Sequence, residues 1–216
     1  MYVMIFASRQ DAGERLGKHL RERGVSADLV LGLPRGGVVV AAFVARELAL
    51  PLDVLVVRKI GHPFQPEFAV GALAEPDSVF LNDETLRLFP VGHRKLDKVI
   101  AVETARLQQY RHQFHLSEMP ALAGKTVLLV DDGLATGATA EAAAISARKQ
   151  DARRIIIAVP VASPEAARRL RHVADDVFVL SEEPSFHAVG EFYDEFLPTE
   201  DEEVISLLKE AAALKA

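Results

Sequence analysis

No cysteine occurs in the 216 residues. That excludes a disulfide framework and thiol catalysis, and it removes most of the ligand sets that zinc prefers. His112-x-x-His115 has neither the spacing nor the acid of a zincin helix. Positive charge is not in excess either: 25 Lys and Arg stand against 31 Asp and Glu, a formal charge of −6. A nucleic-acid coat needs a basic face, so the balance argues against that partner, leaving only a local RNA patch open. No apolar run approaches the length of a membrane span, and Met1 to Phe6 lacks a basic n-region. The expectation is a cytoplasmic chain with no membrane partner. Also missing are the dinucleotide fingerprint Gly-x-Gly-x-x-Gly, internal repeats and low-complexity segments.

What is present is apolar bulk, half of all residues, arranged as strands alternating with helices. Ser8-x-x-Asp11 opens a helix that runs to Gly24. A strand over Asp28 to Leu33 ends in Pro34-Arg35-Gly36-Gly37, and a helix follows to Leu48. A second strand, Val54 to Val57, is closed by Arg58-Lys59, completing a βαβ unit. Gly61 to Pro66 reads as a loop, and Phe68 to Glu75 with Val79 to Leu81 as a hairpin. Leu96 to Gln113 has the pattern of a long amphipathic helix. Regularity returns with strands at 126–131, 155–159 and 176–180. Ser163-Pro164-Glu165 and Thr199-x-x-Glu202 mark the starts of the last two helices.

Five core strands alternating with helices imply an α/β fold with a doubly wound parallel sheet. Right-handed crossovers give the order 2-1-3-4-5. The expected organisation is a single domain over 1–216, with an insertion at 60–120 and a hood at 184–198. Strand 1 then lies beside strand 3 at the switch point, where ligands bind outside the carboxyl ends of the strands.

Two loops meet at that crevice. Val127 to Val130 is an apolar strand ending in Asp131-Asp132, followed by Gly133-Leu134-Ala135-Thr136-Gly137-Ala138-Thr139 and an alanine-rich helix. Small residues let backbone N–H groups close on a phosphate, and the helix N-terminus adds its positive end. The two carboxylates stand upstream, where they can accept from ribose hydroxyls. Opposite them, Gly36 and Gly37 permit close approach to an anion and Arg35 can grip its oxygens bidentately. Other readings of these residues fit less well. A receiver domain would need a further Asp after the 155–159 strand, where Pro160 stands instead. Gly124-Lys125-Thr126 resembles the tail of a P-loop, but Met119 occupies the place of the first Gly and a strand follows.

The 127–139 block resembles the phosphoribosyl pyrophosphate loop of the type I phosphoribosyltransferases: strand, acid pair, two spacers, then Ala-Thr-Gly-x-Thr. Gly133 departs from the aliphatic residue more common there. Arg35-Gly36-Gly37 looks like the family's pyrophosphate loop. Arg58-Lys59 looks like the pair that precedes a mobile closing loop in the adenine and orotate enzymes, here Ile60 to Glu67. Phe186 to Asp194 is similar to the stretch that closes over the base, with Phe186, Phe192 or Tyr193 as ring-stacking candidates. The resemblance covers roughly 28–59 and 126–194. It implies transfer of a 5-phosphoribosyl group from phosphoribosyl pyrophosphate to a nucleobase-like nitrogenous acceptor, with Mg2+ as cofactor. Asp131 and Asp132 would hold the ribose hydroxyls and the metal-bound sugar, and 135–139 the 5-phosphate. Glu67 is the candidate carboxylate for assisting the nucleophile. Ala135, where the hypoxanthine and guanine enzymes carry Asp, counts against a 6-oxopurine. Dimers are common in the family, so a homodimer is a family expectation. The alternatives are a regulator that senses phosphoribosyl pyrophosphate or a nucleotide without turnover, and a sugar-phosphate hydrolase or other nucleotide-binding enzyme that reuses the loop.

Overall fold

The computed structural model describes residues 4–115 and 119–213, leaving aside the side chains of 66, 67 and 84. Its central sheet follows from short runs of apolar residues buried on both faces, the habit of parallel strands covered by helices. These are β1 (Leu29–Gly32), β2 (Leu52–Val54), β6 (Thr126–Val130), β7 (Arg154–Ala162) and β8 (Asp176–Glu182). They are ordered β2-β1-β6-β7-β8, all parallel, which is the expected 2-1-3-4-5. Alternate residues feed opposite faces. Leu29, Leu31, Val127 and Leu129 pack on one side, with α5 (Ala138–Lys149) and α6 (Pro164–Leu170). Val30, Leu128 and Val130 pack on the other, with α1 (Arg9–Glu22), α2 (Gly36–Leu48) and α7 (Asp201–Ala213). Two of the three cap signals are used as read, and the third, Thr199, precedes a helix that starts at Asp201. The Ser8 hydroxyl accepts from Asp11 N, and Ser163 accepts from Ala166 N with Pro164 in the first turn.

The insertion differs from the sequence reading. The second core strand stops at Val54, and Val57 begins a separate antiparallel sheet, β3 (Val57–His62), β4 (Gln65–Ala74) and β5 (Ser78–Leu81). The stretch expected as a mobile loop, Ile60 to Glu67, is therefore mostly hairpin, with only 63–64 as the turn. Two prolines suggested a loop, but Pro63 falls in the turn itself and Pro66 near the strand's start, next to a register shift at Gly61, where the ladder tolerates a missing N–H. A short helix, α3 (Asp83–Leu88), is capped by Asn82, and the long amphipathic helix is α4 (His93–Phe114). The alanines of α5 let it sit between the two sheets: Ala72 and Ala74 of β4 share its apolar cluster with Ala140, Ala143 and Ala144.

One buried charge fixes this second layer. Glu75, with no exposed surface, accepts from Val56 N at 2.5 Å and contacts His115 Nε2 at 2.9 Å and Arg111 Nε at 3.1 Å. Its backbone carbonyl accepts from Ser146 Oγ on α5. His115 Nδ1 lies 3.4 Å from Asp53. Burial works against an imidazolium here, but the Asp53 and Glu75 carboxylates outweigh it and raise His115 from 6.5 to about 9. The charged form thus stabilises the folded state fully below pH 6.5, and that contribution disappears as pH rises through about 9. Wild-type protein is expected to lose on the order of 2–3 kcal/mol across this window relative to His115→Gln. Urea unfolding of both proteins at several pH values checks this; parallel pH profiles would refute it.

Candidate active site

Pairing of β1 with β6 brings two loops together at the carboxyl edge of the sheet. Gly32 is in register with Val130, so Pro34–Gly37 and Asp131–Asp132 leave adjacent strands side by side. The Pro34–Arg35 peptide is cis. The loops touch so closely that neither glycine has room for a side chain. A Cβ on Gly37 would lie 2.7 Å from Asp131 Oδ1 and 2.8 Å from Asp131 Cα, and one on Gly36 would lie 2.1 Å from Asp132 Oδ2. This is the second functional use of glycine, close approach of backbone to a polar group, and it sets the shape of the site.

The acid pair is held from three further directions. Asp131 Oδ1 accepts from Asp132 N at 2.9 Å. Arg9 Nε donates to Asp132 Oδ2 at 2.8 Å, while its Nη1 donates to Leu197 O and its guanidinium covers the Phe196 ring at 3.8 Å. Tyr193 Oη donates to Asp132 O at 2.6 Å. Burial, and then the charge of Asp132, raise Asp131 well above the usual carboxylate range. Burial also raises Asp132, against the Arg9 guanidinium. Burial and the Asp132 charge push the Tyr193 phenol upward, which keeps it a donor.

The loop after the acids is pinned to the next strand. Leu134 N donates to Val161 O, and Ser163 N and Oγ donate to Leu134 O and Ala135 O. Arg169 donates to Thr136 O and lies 3.2 Å from Glu141. Ala135 and Thr136 are exposed, and Ala138 and Thr139 half-exposed. Gly137, at φ +73°, adopts the left-handed conformation that starts α5 and brings no side-chain cap. Ala138 N, the first N–H of α5, donates to Thr136 Oγ1 at 3.4 Å, and the helix N-terminus brings its positive end to this loop, an arrangement that favours an anion.

Other expected residues lie elsewhere. Arg35 is exposed and points to Asp201 at 3.4 Å, away from the acids. Arg58 and Lys59 do not close the second core strand; they lie within β3. Arg58 is held by Glu103 of α4 at 2.8 Å and shares a cavity of about 100 Å³ with Pro34 and Arg35. Lys59 borders a cavity of about 690 Å³ that also meets Thr136, Ala138 and Arg169. Glu67 is on β4, and its side chain lies outside the described residues. Phe192, expected to stack on a ring, is 4% exposed and packs with Phe6, Val161 and Tyr193. It is core because Phe6 N and O pair with the chain at Phe192 and Asp194, tying the hood to the N-terminal segment. Arg9 and Arg169 carry no local motif, and Tyr193, a candidate for stacking on a ring, holds the Asp132 backbone instead. Only the fold brings Arg9 across 123 positions to Asp132.

The departure at Gly133 has a physical cause. A Cβ there would lie 2.7 Å from Val189 Cγ1 and 3.1 Å from Val161, so the hood fills the place of the missing side chain.

A family model for the phosphoribosyl transferase domain matches residues 4–196. Two curated proteins from strains of Mycobacterium tuberculosis, each named "Putative phosphoribosyl transferase", are 42% identical over 210 residues. Those matches cover 97% of this chain and 47% of theirs, so the chain spans about half the length of the curated relatives it matches. The crystal structure of TT1426 from Thermus thermophilus is 43% identical, with 96% of this chain and 99% of that chain covered and a TM-score of 0.80.

Gly133→Ala is expected to destabilise the protein by about 1–3 kcal/mol through overpacking, and adding Val189→Ala to recover most of that loss. Thermal unfolding of the single and double variants measures the coupling. Equal and additive losses would place the strain elsewhere.

Proposed function

This chain belongs to the phosphoribosyl transferase domain family, and on that premise we propose that it moves a 5-phosphoribosyl group from phosphoribosyl pyrophosphate to a nitrogenous acceptor. The observation that carries the reading is the contact of Gly36 and Gly37 with Asp131 and Asp132. It supports the reading because it holds the Pro34–Gly37 loop against the pair of carboxylates, immediately before the loop that leads into the N-terminus of α5, an arrangement that suits pyrophosphate, ribose and 5-phosphate in that order.

In the proposed reaction the bond from ribose C1 to the pyrophosphate oxygen breaks and a bond from C1 to the acceptor nitrogen forms. The electron pair leaves with pyrophosphate, and the nitrogen releases its proton to solvent. Asp131 and Asp132 accept from the 2- and 3-hydroxyls, and their negative charge favours the cationic sugar that develops between the two events. Backbone N–H groups of 135–139 and the Thr136 and Thr139 hydroxyls anchor the 5-phosphate. The Gly36–Gly37 backbone faces the leaving group, and Arg35 reaches it by exchanging Asp201 for phosphate oxygens. Little covalent work falls to the protein, so positioning and electrostatics supply the rate.

The carboxylates of Asp131 and Asp132 are hard oxygen donors suited to Mg2+. Among the described residues no group of three or more His, Cys, Asp or Glu could hold a metal alone. Ligand oxygens would complete the shell, as is usual for this ion. When bound, the ion neutralises charge on the leaving pyrophosphate. Ala135 offers no carboxylate to an acceptor, which disfavours 6-oxopurines.

Calorimetric titration with phosphoribosyl pyrophosphate and Mg2+ is expected to show one saturable site, weakened at least a hundred-fold, about 2.7 kcal/mol, in Asp131→Asn/Asp132→Asn. Because burial and the Asp132 charge raise Asp131 above the usual carboxylate range, wild-type affinity should also fall on acidification, at a higher pH than an ordinary exposed carboxylate would dictate. Pyrophosphate release with a panel of nitrogenous acceptors then separates a transferase from a sensor. Folded wild-type protein that fails to bind would overturn the reading.

A further inference from the structure

We infer, on the transferase reading above, that Arg9 is a substrate-binding residue: its guanidinium and the Asp132 carboxylate form a donor–acceptor pair for one ribose hydroxyl. Arg9 comes from α1, outside both loops that build the rest of the proposed site.

The ion pair of Arg9 with Asp132 is incomplete. A guanidinium is planar, and its Nε–H runs parallel to one N–H of Nη2, so this edge commonly meets a carboxylate through two bonds. Arg154 turns both nitrogens of the same edge on Asp176. Arg9 uses only one of them. Its Nε donates to Asp132 Oδ2 at 2.8 Å, its Nη1 is taken by Leu197 O, and Nη2 has no hydrogen-bond partner among the described residues. Asp132 Oδ1 has none either. One donor and one acceptor therefore remain, each two bonds from an atom of the existing contact.

The surroundings leave that opening to a ligand. The side chains of Arg9 and Asp132 are only 12% and 15% exposed, yet both open atoms still reach solvent. The Gly36 backbone closes off the paired atoms: a Cβ there would lie 2.1 Å from Asp132 Oδ2 and 2.6 Å from Arg9 Nε. Phe196, whose ring centre is 3.8 Å from the guanidinium carbon, and Leu197 O keep Arg9 from swinging away. A ligand group thus meets the pair at Oδ1 and Nη2.

The chemistry of the two atoms selects the group. A phosphate oxygen accepts from Nη2 but is repelled by Oδ1, and an ammonium is repelled by the guanidinium. A hydroxyl satisfies both, giving its hydrogen to Oδ1 and receiving an N–H of Nη2. In the proposed reaction the ribose hydroxyl that meets Asp132 is that group. A site that bonds a hydroxyl from both sides discriminates against the sugar lacking it, because a largely buried donor and acceptor are then left unpaired.

Calorimetry on the intact chain tests this with ribose 5-phosphate, 2-deoxyribose 5-phosphate and 3-deoxyribose 5-phosphate, each titrated into wild type, Arg9→Lys and Arg9→Gln. Wild type is expected to prefer ribose 5-phosphate to one of the deoxy sugars by about ten-fold or more. Lys keeps a charge beside Asp132 but lacks the planar edge. In Arg9→Lys the affinity for ribose 5-phosphate should fall about ten-fold, while that for the disfavoured deoxy sugar stays within about three-fold of wild type, which also shows the variant to be folded. Arg9→Gln should lose the same preference whatever its overall affinity. If Arg9 serves only the fold or the charge balance of Asp132, all three sugars weaken in proportion and the preference survives, which overturns the inference. Wild type that binds phosphoribosyl pyrophosphate without any preference among the sugars also overturns it, and leaves the transferase reading standing. Wild type that binds neither phosphoribosyl pyrophosphate nor ribose 5-phosphate overturns both.

Discussion

The contact between two glycines and two aspartates is the constraint on which the rest of this structure depends. Gly36 and Gly37 lie where any side chain would overlap Asp131 or Asp132. That contact requires β1 and β6 to be neighbours, because only adjacent strands deliver their following loops to one point. It also requires α2 to begin immediately, since Gly36 is its first residue. The crossing of the chain from one half of the sheet to the other is thus a condition of the site's geometry. An open sheet with another order would leave the same loops apart.

Two carboxylates side by side and largely out of water repel each other and resist ionisation. The structure offsets this from the opposite side of the crevice. Arg9 compensates Asp132 directly, and the position of Arg9 is in turn fixed by Leu197 O and the Phe196 ring. Tyr193 holds the Asp132 backbone. The N-terminal helix and the hood are therefore electrostatic supports for the acid pair as well as cover for the core. The same packing explains Gly133. Val189 comes down onto the loop at the place where a larger residue would otherwise sit, so Gly133 and Val189 fill complementary space.

Much of this was legible in the sequence, and the limits are instructive. Core strands announced themselves as apolar runs because parallel strands are buried on both sides, and the sheet order followed from handedness. The acid pair and the phosphate loop were readable because a short contiguous segment supplies every group. The second core strand was misread because Val54 to Val57 is one continuous apolar run that spans the end of β2 and the start of β3. Nothing local says that Glu75, nineteen positions away, takes the Val56 N–H as the chain leaves the sheet. Phe192 looked available for a ring because an aromatic near a loop can face either way. Its burial depends on Phe6, and that pairing is invisible to periodicity. Arg9 was missed for the same reason, being one arginine on a helix with several.

Glu75 also decides which part of the β3–β4 hairpin can move. At its base, the carboxylate and carbonyl of this one residue bind the β2–β3 junction, α4 and α5 together. Displacing the base would strand a buried carboxylate, a loss of roughly 3–5 kcal/mol, larger than most single contacts could restore. At the tip no such penalty applies. Phe64 is 66% exposed, and its contacts there are the ring of His62 and the ammonium of Lys95, interactions worth about 1 kcal/mol each. Any rearrangement that brings the hairpin over a bound ligand is therefore a bending of its outer half about a fixed root. Arg58 and Lys59 lie between root and tip, near enough to the root to be held in place and near enough to the tip to respond. A hydrophobic lid hinged at the sheet would have carried both residues with it. Anchoring by a buried charge holds the root of the hairpin, and with it the start of β3, in place when the tip bends.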